Sequence, residues 1–193
     1  MSRLRTFIAV DVSPFTRDRL VGLRDNLAAA AGTGVKWVEP DNLHVTLLFL
    51  GEVDEREVIG ICRAVEAVAR PAPAFSMTVA GVSAFPTVRR PRTLIVPVTE
   101  GAAELVALHD ALEGPLLELG CYRREERGYV PHLTLGRVQR DARAEALSAA
   151  VAKFGGWQGG QTQVREVLVL SSQLRREGPE YTVLSRAKLR GPV

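Results

Sequence analysis

Two short frames, His44-Val45-Thr46-Leu47 and His132-Leu133-Thr134-Leu135, stand 88 residues apart in a chain that holds only three histidines. Other landmarks keep nearly the same spacing. An apolar run opening at Phe7 has a counterpart opening at Leu94, an offset of 87, and Val79 has a counterpart in Val167, an offset of 88. A nearly constant offset across three landmarks, each in the same order of elements, argues for an internal duplication. It restricts the fold sharply: the two halves must build similar sets of strands and helices, related by an approximate two-fold axis. No linker or low-complexity tract divides the 193 residues, and that length suits one domain. A single two-lobed domain over residues 1–193 is therefore expected.

The patterning fills in the elements. Residues 5–12 read as a strand, followed by a helix over 14–31 with Phe15, Leu20, Leu23 and Leu27 on its apolar side. Ser13 and Pro14 suit the start of that helix and Gly32 its end. A strand over 43–53 leads into an acidic helix start at 54–57, and the helix runs to about residue 70, where Pro71 and Pro73 stop it. Strands follow over 75–85 and 92–98, with Pro86 and Pro91 in the turn between them. The second half predicts a helix over 101–119, a strand over 129–138, a helix over 141–154 and strands over 162–174 and 181–189. A hairpin turn falls at 176–180, and the charged loops 86–92 and 123–128 read as the most mobile segments.

Side chains at i and i+2 of a strand share a face, about 6–7 Å apart. His44 and Thr46 thus face one way and Val45 and Leu47 the other; His132 and Thr134 repeat this against Leu133 and Leu135. Two such pairs facing each other over a cleft suit acid–base hydrolysis at phosphorus. A neutral imidazole can take a proton from water, and an imidazolium can give one to the departing oxygen. The two hydroxyls can hold non-bridging oxygens, and Arg137 can add a fixed positive charge. A metal site fits poorly, because no Asp or Glu lies in either frame and two imidazoles are too few ligands. No Gly-x-Ser-x-Gly elbow is present for a nucleophilic triad. His109, mid-helix and without such a frame, reads as structural.

Composition adds two points. Of 25 basic residues only three are lysine, leaving 22 arginines, whose planar forks suit phosphate; composition bias explains the same excess equally well. Cys62 and Cys121 have no metal-type spacing and read as reduced thiols, and no secretory leader or membrane span is apparent, so a cytoplasmic protein is expected.

The frames and their flanks, "FIAVDVSP", "WVEPDNLHVTLLFLGEV", "YVPHLTLGRV" and "VLVLSSQLRREGPEYTVL", resemble the two-histidine phosphoesterases. Within that superfamily they are most similar to the bacterial and archaeal RNA 2′,3′-cyclic phosphodiesterases, also called 2′-5′ RNA ligases. The likeness covers about residues 5–185. Gly136, where relatives commonly carry alanine, and the charged segment 122–130 are its departures. The resemblance implies an α+β fold of two pseudo-two-fold lobes, each an antiparallel sheet with helices outside, around a central cleft. It implies hydrolysis of RNA 2′,3′-cyclic phosphate ends to 2′-phosphates by a monomer, with no metal or other cofactor, and allows a reversible 2′-5′ ligase activity beside it. It assigns His44 as proton donor, His132 as acceptor, Thr46, Thr134 and Arg137 to the phosphate, and Phe7 to stacking on the terminal base. Three alternatives stay open: a sister enzyme acting on cyclic nucleotides, ADP-ribose cyclic phosphate or 2′-5′ linkages; an RNA-end-binding module without turnover; and a metal hydrolase.

Overall fold

Four successive residues of the first strand, Phe7 to Val10, are buried, so this strand is apolar on both faces. In the computed structural model, which describes residues 2–32, 34–124, 127–140, 142–175 and 178–191, it is β1 (Arg3–Asp11). It lies inside the sheet between β3 (His44–Asp54) and β9 (Glu166–Leu174), where a doubly covered strand belongs. Ile8 and Val10 enter the main core, whereas Phe7 and Ala9 join a small separate cluster with Leu168 and Leu170.

The main path of the sheet runs β10 (Pro179–Lys188), β9, β1, β3, β7 (His132–Val138), β6 (Arg90–Glu100), β4 (Phe75–Ala80), β8 (Gln158–Val164). Short β2 (Val35–Trp37) pairs with β7, and β5 (Ser83–Thr87) with β6; all these pairs are antiparallel. The order is balanced about the β3–β7 seam, with β1 and β6 flanking it and β9 and β4 beyond them. Strand β4 of the first half therefore lies beside β6 of the second, while β9 returns to lie beside β1.

Helices α1 (Pro14–Ala31), α2 (Val58–Ala69), α3 (Ala102–Glu118) and α4 (Ala144–Lys153) cover the sheet. Helix α1 packs on α4 and β8, and α2 on α3, β9 and β10. Their apolar stripes, such as Leu20–Leu23–Leu27 and Ile61–Val65–Ala69, merge with Val45, Leu47, Leu133 and Leu135 into one core. The architecture is the expected α+β one. No described helix is long and apolar enough to cross a membrane. Both cysteines are free, and burial pushes their thiol pKa values up.

Local chemistry sets the helix ends. Ser13 Oγ accepts from the Thr16 amide at 3.2 Å, and Gly32, at φ 74°, donates back to the Ala28 carbonyl. Before α2, Asp54 accepts from the Arg56 amide while Glu57 accepts from the Asp54 amide, both at 3.0 Å.

Several details differ from the sequence reading. Phe15 is 62% exposed and sits under the Arg19 guanidinium rather than in the core. The segment 75–85 breaks at Gly81, at φ 72°, into β4 and β5, and 162–174 belongs to two strands, β8 and β9. The 86–92 segment is a tight hairpin in which Thr87 pairs with Arg90. In the 123–128 loop Arg124 is tied to Glu113 at 3.1 Å, while Glu125 and Glu126 lie outside the described residues, as do Arg176 and Glu177 of the 176–180 turn.

Candidate active site

The two frames meet at the centre of the sheet. Among the described residues β3 and β7 pair at one position, Val45 with Leu133, and both side chains are fully buried in the core. Pleating sends the residues on either side of that pair to the opposite face. His44 and Thr46 from one strand, and His132 and Thr134 from the other, therefore share the face away from the core.

Each imidazole is oriented by the same device. Nδ1 of His44 lies 2.8 Å from the carbonyl of Asn42, and Nδ1 of His132 lies 2.6 Å from the carbonyl of Val130. A carbonyl only accepts, so in both rings Nδ1 carries the proton and Nε2 is left for chemistry. Nε2 of His44 is 2.9 Å from the Thr46 hydroxyl. An aromatic edge supports each ring: Tyr181 against His44 at 5.5 Å and Phe85 against His132 at 4.9 Å between centroids.

Burial pulls the His44 pKa down to about 4. The Asn42 carbonyl and the Asp11 carboxylate oppose this, while Arg17 and the charge of His132 add to it. Asp11 and Arg17 are paired at 2.6 Å, and Arg17 also donates to the Pro40 carbonyl, bracing the turn that presents Asn42.

Beside His44 opens a cavity of about 330 Å³ with His44, Thr46 and Thr134 in its wall. Arg5, Lys36 and Arg137 outnumber Glu39 in its wall and make it cationic, and Trp37, Phe49 and Tyr181 supply aromatic surface. His132 is not among its lining residues. A second, more open depression of about 670 Å³ also touches His44 and Tyr181, but it holds Asp11, Glu39, Asp41 and Glu180 against Arg175 and Arg186. Phosphate therefore favours the first. Among the described residues no group of three or more His, Cys, Asp or Glu side chains is arranged to hold a metal.

A family model described as LigT like Phosphoesterase matches the chain twice, over residues 10–95 and 95–181. The chain belongs to the LigT-like phosphoesterase family. It is 36% identical to an RNA 2′,3′-cyclic phosphodiesterase of Archaeoglobus fulgidus over 92% of this chain and 96% of that one. With the protein of the same name from Methanothermobacter thermautotrophicus it shares 34% identity over 93% and 96%. Its fold superposes on a crystal structure of TT0787 of Thermus thermophilus with a TM-score of 0.82, at 27% identity over 97% and 98% of the two chains. A crystal structure of E. coli LigT complexed with 3′-AMP has a TM-score of 0.75 over 97% and 99%, at 23% identity, a likeness of fold alone.

Within this LigT-like cleft, Phe7, His44, Thr46, Thr134 and Arg137 line one cavity, with His132 across the seam. Phe7 lines the cavity from a buried position. It is 3% exposed, its ring taken up by His44 at 5.0 Å and Tyr181 at 4.9 Å. The open aromatic surface belongs to Phe49, 52% exposed, and to Tyr181. Arg5 was within reach of sequence reasoning, two residues before Phe7 on one strand. Tyr181 and Lys36 were not, because long-range pairing brings them here. Gly136 is explained by close approach: a Cβ there would lie 2.7 Å from Val35 Cγ1 and 3.1 Å from the Lys36 carbonyl oxygen.

Proposed function

We propose that this chain hydrolyses RNA 2′,3′-cyclic phosphate ends to 2′-phosphates, with His44 as acid and His132 as base. The names of its relatives support the substrate. The carrying observation is the position of the cavity. In-line attack places water on one side of phosphorus and the ribose, with its base, on the other. The cavity adjoins His44 and not His132, so the nucleoside fits on the His44 side and water reaches phosphorus from the His132 side.

In this reading His132 Nε2 takes a proton from water as its oxygen bonds to phosphorus. The P–O3′ bond breaks, and O3′ takes the proton from His44 Nε2. The products are a 3′-hydroxyl and a 2′-phosphate; solvent exchange resets both rings. Thr46 and Thr134 hold non-bridging oxygens, with Arg137 adding positive charge. A 5′-hydroxyl in the place of water would leave a 2′-5′ linkage. Both frames come from one chain, so a monomer suffices. The repeated spacing and the balanced strand order support descent of the two halves from one duplicated unit.

His44 must carry a proton to serve as acid, although burial lowers its pKa to about 4 in the empty cleft. The substrate supplies the remedy. A monoanion about 4 Å away at an effective dielectric near 20 is worth about 4 kcal/mol, or about three pK units. Binding thus raises the pKa of the ring back towards neutral pH, where it can carry its proton. The test is incubation of the purified protein with an oligonucleotide ending in a 2′,3′-cyclic phosphate, in excess EDTA. A 2′-phosphate product is expected. No turnover on this substrate, or turnover that returns only when a divalent metal is added, would reject the reading.

A further inference from the structure

Tyr129 stands three residues before His132, and a side chain at this point bridges the two frames. Its hydroxyl donates to the main-chain carbonyl of Thr46 at 2.9 Å, 83 positions back in the chain. The next residue, Val130, presents the carbonyl that fixes His132 Nδ1–H at 2.6 Å. Two consecutive residues therefore hold one frame each. Pro131 keeps Val130 extended, and the Pro131 carbonyl accepts from the Val98 amide at 3.3 Å, tying the segment to β6.

The Tyr129 ring is itself clamped. It lies flat against His109 of α3, with centroids 4.3 Å apart and an interplanar angle of 2°. The Nδ1–H of His109 donates to Asp110 at 2.9 Å. Burial pushes the Tyr129 phenol up, so the hydroxyl keeps its proton and can donate. A phenylalanine would fill the same volume without this bond.

We propose that Tyr129 is a positioning residue that sets the spacing of the His44 and His132 imidazoles by bracing Thr46 against the Val130–His132 segment. Its kinetic consequence rests on the phosphodiesterase reading above. Among the described residues β3 and β7 share a single backbone pair, and the Tyr129 bond adds a second direct tie across the seam. Reacting groups displaced by as little as 1 Å can lose up to about 10² in rate.

The experiment uses the full chain as Tyr129→Phe and with Tyr129 replaced by p-aminophenylalanine, which keeps the ring and a donor of similar reach. Two measurements are made: kcat and KM on 2′,3′-cyclic AMP, and long-range ¹H–¹⁵N spectra of the His44 and His132 rings without substrate. For Tyr129→Phe, kcat should fall roughly tenfold with KM within about twofold, and ring signals of both histidines should move. The p-aminophenylalanine chain should return towards wild type in both. Unmoved ring signals in Tyr129→Phe overturn the proposal, whatever kcat does, and so does an equal loss in the two variants. A wild-type chain without turnover sinks the phosphodiesterase reading instead, and the ring signals still decide the brace.

Discussion

Removing either imidazole should lower kcat by roughly 10²–10⁴-fold, the range for a positioned acid or base. KM should change far less, because Thr46, Thr134 and Arg137 are left to hold the phosphate. The two losses should part company on a cyclic substrate whose 3′-oxygen is replaced by sulfur. A thiolate leaves without needing a proton, so this substrate should restore most of the rate of His44→Ala and little of that of His132→Ala. The opposite pattern would exchange the two roles. The low pKa of His44 in the empty cleft would favour that exchange, and the cavity beside it opposes it. A fully active double variant would remove both histidines from the chemistry.

Acid should destabilise the empty protein through the same histidine. Its pKa falls from 6.5 unfolded to about 4 folded, so the unfolded chain binds the extra proton first. The stability it contributes is whole above pH 6.5 and is lost as pH falls through 4, by roughly 2–3 kcal/mol at the lower end. Carboxylates titrate in the same window, so the comparison needs His44→Gln. Urea unfolding at pH 7 and pH 4 should show the wild type losing more stability than this variant, by about that amount. Equal losses in the two chains would mean that the half-buried ring titrates normally.

The sequence made the centre of the molecule legible and its margins obscure. His-x-Thr frames were readable because alternation on a half-buried strand assigns a face to every side chain, and Leu133 and Val45 anchor that alternation. Helices α1 and α2 were readable from their caps, Ser13 and Asp54–Glu57. Strand β8 was hidden because Gly159, Gly160 and Gln161 give it no apolar alternation, and three-residue β2 is too short to show any. The surroundings of Phe7 were not readable, because burial on both faces looks the same in sequence as exposure to a ligand on one. Tyr181 and Phe49, which carry the open aromatic surface, are assembled by pairing across β10, β9, β1 and β3. No local pattern announces such neighbours.

The crossing of β4 and β9 constrains how this molecule can come apart. Each half lends a strand to the other's sheet, and every helix feeds one continuous core. Cut between the halves, either fragment would expose an unpaired edge at β1 or β6 and half of an apolar interior. Neither half is therefore a body that can swing, detach or refold by itself. The cleft is a groove in one solid, and heat or denaturant should release both of its walls together.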